Sequence, residues 1–128
     1  MHVARGPEIY RVTGVEAAIA ANTTQAAVKF AWPRPVVVEG IFPAVSTDAD
    51  ADLSALEISI FDHRERAIVS DGSRALFVSA FALVGRRRRW HRLEIPVRAR
   101  EHWIFQLRNV SGGGPITPRL YVRIRDES

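Results

Sequence analysis

The stretch of residues 101–125 constrains the fold more than any other part of the sequence. Two runs in it alternate apolar with mostly polar residues, and the apolar series are Trp103, Phe105 and Leu107 in the first run and Leu120, Val122 and Ile124 in the second. Because successive side chains of a strand point to opposite faces, each run predicts a strand with one apolar face. Residues 111–118 between the runs hold three glycines and two prolines, which favours a loop. The stretch therefore predicts two strands whose apolar faces need a second layer.

Short apolar or alternating segments recur along the rest of the chain. We predict strands at residues 24–32, 36–42, 56–60, 67–69, 75–84 and 93–97. The segment 75–84 is the longest apolar run, and we interpret it as a central strand, with a short buried helix as the alternative. Many short strands without a long helix predict an all-β fold, a single-domain antiparallel β-sandwich of jelly-roll type.

The first 22 residues show no clear pattern. Residues 9–13 are compatible with a short strand, and residues 14–21 with either a strand or one or two helical turns. We therefore predict that residues 1–22 form an N-terminal arm or an extra strand, and that residues 23–128 form the β-sandwich domain. An arm of this kind would pack on a neighbouring subunit.

The composition argues against several classes of protein. No apolar run approaches the roughly 20 residues that span a bilayer, and the first ten residues lack the apolar segment of a secretory signal. The chain has no cysteine, so neither disulfides nor thiolate chemistry contribute. It also lacks a nucleophile elbow, a phosphate-binding loop and a dinucleotide-binding fingerprint. We therefore predict a protein that is not an enzyme and that has no catalytic residues, no cofactor and no membrane partner.

The most conspicuous local feature is a basic run, which consists of Arg86, Arg87, Arg88, Arg89 and the adjacent Trp90. Four consecutive guanidinium groups repel one another, so the run gains most from a nearby anionic surface. That surface could belong to a protein or to nucleic acid, and the alternative is a solvated loop tip. Because the net charge is only +4 and no nucleic-acid recognition motif is present, we do not expect a nucleic-acid partner.

A second basic feature lies on the last predicted strand. Arg119, Arg123 and Arg125 alternate with apolar residues and share their face with Tyr121. This face is either an ordinary solvent-exposed one or an intersubunit contact, since arginine and tyrosine are enriched at interfaces.

Three acidic residues, Asp48, Asp50 and Asp52, lie in the predicted loop 46–52. Their spacing is like the start of a calcium-binding EF-hand loop. However, Leu53 replaces the required glycine at the sixth position and Ser59 the glutamate at the twelfth, so we predict no metal site. We instead expect this acidic loop of one copy to meet the basic run of the next, in a head-to-tail contact.

Segments 30–43 (FAWPRPVVVEGIFP) and 102–126 (HWIFQLRNVSGGGPITPRLYVRIRD) resemble small β-sandwich virion proteins of tailed bacteriophages, of the capsid decoration or minor capsid type. The resemblance implies a non-enzymatic structural subunit that is assembled in the host cytoplasm and resides in the virion. It implies binding to other virion proteins, the major capsid protein above all, and a homo-oligomer such as a trimer. It assigns no role to individual residues.

A carbohydrate- or cell-surface-binding module is the alternative function for a sandwich of this size. Such modules present exposed aromatic side chains, and the candidates here are Trp32, Trp90 and Trp103. Because Trp32 and Trp103 fall on the apolar sides of their predicted strands, we expect both to pack in the core.

Overall fold

The computed structural model describes residues 7–69 and 77–127. Its strands are β1 (Glu8–Arg11), β2 (Thr23–Thr24), β3 (Val28–Ala31), β4 (Val36–Val45), β5 (Leu56–Phe61), β6 (Val78–Ser79), β7 (His91–Val97), β8 (His102–Asn109) and β9 (Pro118–Asp126). Two short helices, α1 (Asp50–Ala55) and α2 (Ala80–Val84), and a 3-10 turn at Thr13–Val15 complete the described elements.

The strands form two antiparallel sheets that pack face to face. Sheet 1 has the order β1-β9-β4-β7, and sheet 2 has the order β2-β8-β5-β6, with β3 also paired to β8. The chain crosses between the sheets after β1, β3, β4, β6, β7 and β8. This alternation gives the double-sheet arrangement of a jelly roll, so the predicted antiparallel β-sandwich is confirmed.

The two inner faces of the sandwich form the core. All six apolar residues of the alternating runs in β8 and β9 are at most 1% exposed, as the period of two predicts. Trp32 and Trp103 are also buried and meet edge to face, with 5.8 Å between ring centroids. Burial of each such side chain contributes roughly 1.5–3 kcal/mol, so these rows dominate the stability of the fold.

The predicted central strand at residues 75–84 is wrong over residues 77–84, and residues 75 and 76 lie outside the described part of the chain. Within 77–84 only Val78–Ser79 is a strand, paired with β5, and Ala80–Val84 is the helix α2. Ala80 and Val84 are both buried, because residues four apart lie on the same side of a helix and here face the core. An apolar run does not distinguish a buried strand from a buried helix, which is why the pattern misled.

The predicted strand at residues 67–69 is also wrong, because Ala67 makes only an isolated bridge to Phe61. The chain turns sharply before it around buried Asp62, whose Oδ1 accepts hydrogen bonds from the backbone N–H groups of Arg64 and Arg66, each at 2.9 Å. Burial raises the pKa of Asp62, but these hydrogen bonds outweigh it and the net pKa is lowered. This turn forms instead of a longer antiparallel pairing between residues 67–69 and β5.

Residues 7–22 pack against their own chain. Strand β1 adds to the edge of sheet 1 beside β9, and Ile19 forms a bridge with Ile116. Arg34 stabilises this edge through two ion pairs. Its Nη2 lies 3.0 Å from Glu8 Oε1, and its Nε lies 2.5 Å from Asp126 Oδ1. The hydrogen bond to Asp126 is the main reason why the pKa of Arg34 is raised.

Candidate interaction surface

The outer face of sheet 1, here called the basic face, carries most of the exposed charge of the two sheets. Its arginines are Arg11, Arg92, Arg119, Arg123 and Arg125, and its carboxylates are Glu39 and Glu94. They share this face because Leu120, Val122 and Ile124 of β9 point inward, which directs the intervening residues outward.

An aromatic cluster lies on the basic face. Phe42 of β4 is the register partner of Tyr121 of β9, and the two rings are 6.5 Å apart between centroids. The Trp90 ring lies 5.4 Å from that of Phe42 on the other side. Phe42 thus connects Trp90 with Tyr121. The two basic features that the sequence shows separately therefore adjoin on one surface.

Arg125 neutralises both carboxylates of the basic face. Its Nη1 lies 2.9 Å from Glu39 Oε2 and 2.5 Å from Glu94 Oε1, and these hydrogen bonds, that to Glu94 first, raise its pKa. Arg123 makes only a longer contact with Glu39, at 3.6 Å. Within residues 7–69 and 77–127, Arg92 and Arg119 form no ion pair, so their guanidinium groups are available to another molecule.

The acidic and basic loops meet within one chain. Arg88 Nε lies 3.0 Å from Asp48 Oδ1, and Arg88 Nη2 lies 2.6 Å from Asp50 Oδ1. The hydrogen bonds to Asp50 and then Asp48 raise the pKa of Arg88. The acidic segment is not a plain loop, because α1 starts at Asp50. These contacts join the β4–β5 and β6–β7 crossovers and so hold one end of the sandwich together.

The other members of the two loops differ in their surroundings. Asp52 Oδ2 accepts a hydrogen bond of 2.6 Å from Thr47 Oγ1, and Arg86 reaches Asp50 only at 4.0 Å. Arg87 and Arg89 form no ion pair in the described part of the chain. The head-to-tail contact between copies stays a prediction, and Arg88 would have to exchange its partners to take part in it.

A groove of about 830 Å³ opens beside the aromatic cluster, where β4 is bulged between Val38 and Gly40. It is lined by Glu39, Gly40, Arg89, Trp90, Arg92, Leu93, Glu94 and Arg123. Sequence reasoning missed Glu39, Gly40 and Arg92. The signal was present, since a glycine next to a glutamate inside an apolar strand indicates a bulge.

Other chemical sites are not apparent in the residues that the structure describes. No group of three or more His, Asp or Glu side chains there could hold a metal ion. No helix in the same residues is long and apolar enough to cross a membrane. Because Trp32 and Trp103 are each 1% exposed, only Trp90 of the three tryptophans can offer its ring to a ligand.

Comparisons with protein-family models, with curated proteins and with solved structures find no match to this chain. A jelly roll occurs in viral capsid domains, lectins and cupins, so the fold does not assign an activity by itself.

Proposed function

We propose that the protein is a non-enzymatic structural subunit of a bacteriophage particle, of the capsid decoration or minor capsid type. In this proposal it resides in the virion and stabilises the shell through contacts with the major capsid protein. The observation that carries the proposal is the basic face, where exposed guanidinium groups surround the Phe42, Trp90 and Tyr121 cluster. The resemblance of segments 30–43 and 102–126 to phage virion proteins supports the same function.

The composition of the basic face suits a protein partner. Tryptophan, tyrosine and arginine are the residues that contribute most to binding energy at interfaces, and they act best when apolar contacts are surrounded by a polar rim. Here Phe42 and Tyr121 lie near the centre, and Arg119 precedes Tyr121 at a spacing of about 7 Å along β9. An acidic patch on the shell would complement this rim and direct the subunit to its site.

A different observation, at the β1 edge of sheet 1, supports self-association. Ile9 of β1 is 60% exposed and is the register partner of Arg123. An exposed isoleucine on an edge strand can pack against the same edge of another copy. We therefore propose a homo-oligomer, such as a trimer, in which this edge takes part.

Binding to shells tests the proposal directly. Purified protein is sedimented with empty capsids of the phage that encodes it, at several salt concentrations. We expect the protein to bind the capsids, and we expect Arg119→Glu to weaken that binding by about tenfold or more, because like charges then oppose each other. The control is Lys29→Glu, which makes the same charge change on an exposed residue of sheet 2 and should leave binding within about twofold. A salt-insensitive monomer that does not bind capsids would contradict the proposal.

A further inference from the structure

Gly40 sits between two arginines on the basic face. It is the register partner of Arg123 on β9 and of Arg92 on β7. Neighbouring strands lie about 4.8 Å apart, so the two arginine Cα atoms are separated by about 10 Å with no side chain between them. A Cβ atom at Gly40 would lie 3.0 Å from the His91 carbonyl oxygen and 3.5 Å from Trp90 Cε3, so the indole borders this gap. The gap forms the floor of the groove.

The groove holds cations that the protein itself does not neutralise. Arg89 and Arg92 form no ion pair in residues 7–69 and 77–127, and Arg123 has only its 3.6 Å contact with Glu39. Arg125 binds the carboxylates of Glu39 and Glu94 from the side. Guanidinium groups in this state can bind an external anion with paired, charge-assisted hydrogen bonds.

The groove also holds an acceptor that receives no hydrogen bond. Glu39 Oε1 is buried and has no hydrogen-bond partner among the described residues, and its contact with Arg123 Nε, at 3.6 Å, is too long for a hydrogen bond. A buried acceptor is costly unless a donor reaches it, so a ligand with a hydroxyl group would be stabilised there. The nearby Trp90 ring adds an apolar surface against which the ligand can pack. A volume of about 830 Å³ lies within the range of small-molecule sites.

We propose that this groove binds an acidic saccharide, namely a sugar residue that carries a carboxylate. The carboxylate lies between Arg92 and Arg123, a ring hydroxyl donates to Glu39 Oε1, and the apolar face of the sugar packs on Trp90. A uronic acid presents all three chemical features within one ring. The site does not depend on attachment to a shell, because it needs Arg92 and Glu39 rather than Arg119.

Other anions match the groove less well. Inorganic phosphate has no apolar face that could pack on the Trp90 ring, which lines the groove. An aspartate or glutamate side chain carries the carboxylate but no hydroxyl donor for Glu39 Oε1. The sugar acid satisfies both the cations and the orphan acceptor.

Calorimetry with tetragalacturonate, and with its neutral methyl ester as the matched ligand, tests this site. Tryptophan fluorescence follows the same titration, and a change would report Trp90 because the other two tryptophans are buried. We expect the acid to bind and the ester to bind about tenfold or more weakly, since the charge-assisted hydrogen bonds are lost. Arg92→Gln should weaken binding of the acid by about tenfold, whereas Arg119→Gln, on the same face but outside the groove, should leave it unchanged.

Each alternative outcome is decisive. Equal binding of acid and ester, or an affinity that Arg92→Gln leaves unchanged, would overturn the proposal. Tighter binding of inorganic phosphate or of a polyglutamate peptide would overturn the assignment to a sugar. Because Arg92 is exposed and forms no ion pair in the part of the chain that the structure describes, Arg92→Gln should unfold at the wild-type temperature, and Arg92→Lys should retain part of the affinity by keeping the charge. Arg119→Glu, which should weaken capsid binding, should still bind tetragalacturonate because Arg119 does not line the groove, which separates this test from that of the shell attachment.

Discussion

The two sheets of the sandwich distribute aromatic and charged residues in opposite ways. Sheet 1 has a mainly aliphatic inner face, and its outer side carries arginines with Phe42, Trp90 and Tyr121. Sheet 2 has an aromatic inner face, where Phe30, Trp32, Trp103 and Phe105 form a continuous row of ring contacts. On its outer face Arg108 and Glu57 pair with each other, whereas Lys29 forms no ion pair within residues 7–69 and 77–127.

Arg108, the arginine on the outer face of sheet 2, has its partners within the chain. Its Nε lies 2.6 Å from Glu57 Oε1, and its guanidinium group lies 4.0 Å from the centre of the Phe77 ring. On sheet 1, by contrast, Arg92 and Arg119 have no such partners among the described residues. The sheet that stabilises the fold through its aromatic residues is therefore not the one that offers them to other molecules.

The largest expected effect comes from removing one aromatic side chain from the inner face of sheet 2 and, for comparison, one from the outer cluster of sheet 1. Trp103→Ala should destabilise the protein by about 3–5 kcal/mol, because it empties a buried site in the aromatic row. Trp90→Ala should cost about 1–2 kcal/mol, since the ring is only partly buried against Phe42. Urea unfolding of both variants measures the difference. Equal losses would mean that the outer cluster is part of the core.

Much of the fold follows from the sequence because the period of two is a local property. It correctly places Trp103, Phe105 and Leu107 inside, and residues 111–117 of the glycine- and proline-rich connection outside the strands, although Pro118 already belongs to β9. The period of two does not predict the structure of Ala80–Val84, because every residue there is apolar and no alternation can be recognised. Tertiary packing, not local pattern, decides between strand and helix there.

The candidate surface is less predictable, because it depends on which strands become neighbours. Arg92 and Arg123 are far apart in sequence, and they flank Gly40 only because β4 lies between β7 and β9. In the same way, the sequence shows Asp48 and Arg88 as complementary charges, but the choice between a contact within one chain and a contact between copies rests on how the crossovers fold. The order of strands within a sheet depends on contacts between residues far apart in the sequence, so no local pattern predicts it.

An intermediate effect is expected from the carboxylates of the two outer faces. Glu39→Ala removes the common partner of Arg123 and Arg125 and leaves the basic face with more repulsion, whereas Glu57→Ala removes a single pair with Arg108. We expect the loss of stability for Glu39→Ala to be about twice that for Glu57→Ala at low salt, because networks of charge matter more than isolated pairs.

Thermal unfolding at low and high sodium chloride measures both losses. Salt should reduce the loss for Glu39→Ala more than the loss for Glu57→Ala, since it screens the repulsion among the arginines. A Glu39→Ala loss that is equal to that of Glu57→Ala and insensitive to salt would indicate that the basic face carries no electrostatic strain.

The smallest effect concerns the one histidine of sheet 1, and it is a dependence on pH. Burial disfavours the charged form of His91 and lowers its pKa below the ordinary value of 6.5. The unfolded chain therefore binds the proton more tightly than the folded one, so the stability is complete above pH 6.5 and falls as the pH drops through the folded-state pKa. Below that pKa the loss is constant. His91→Gln should remove this part of the pH dependence, and unfolding midpoints between pH 5 and 8 measure it against the wild type, which cancels the titration of the other histidines. Parallel curves for the two proteins would show that the inner face of sheet 1 accepts a charge at this position without cost.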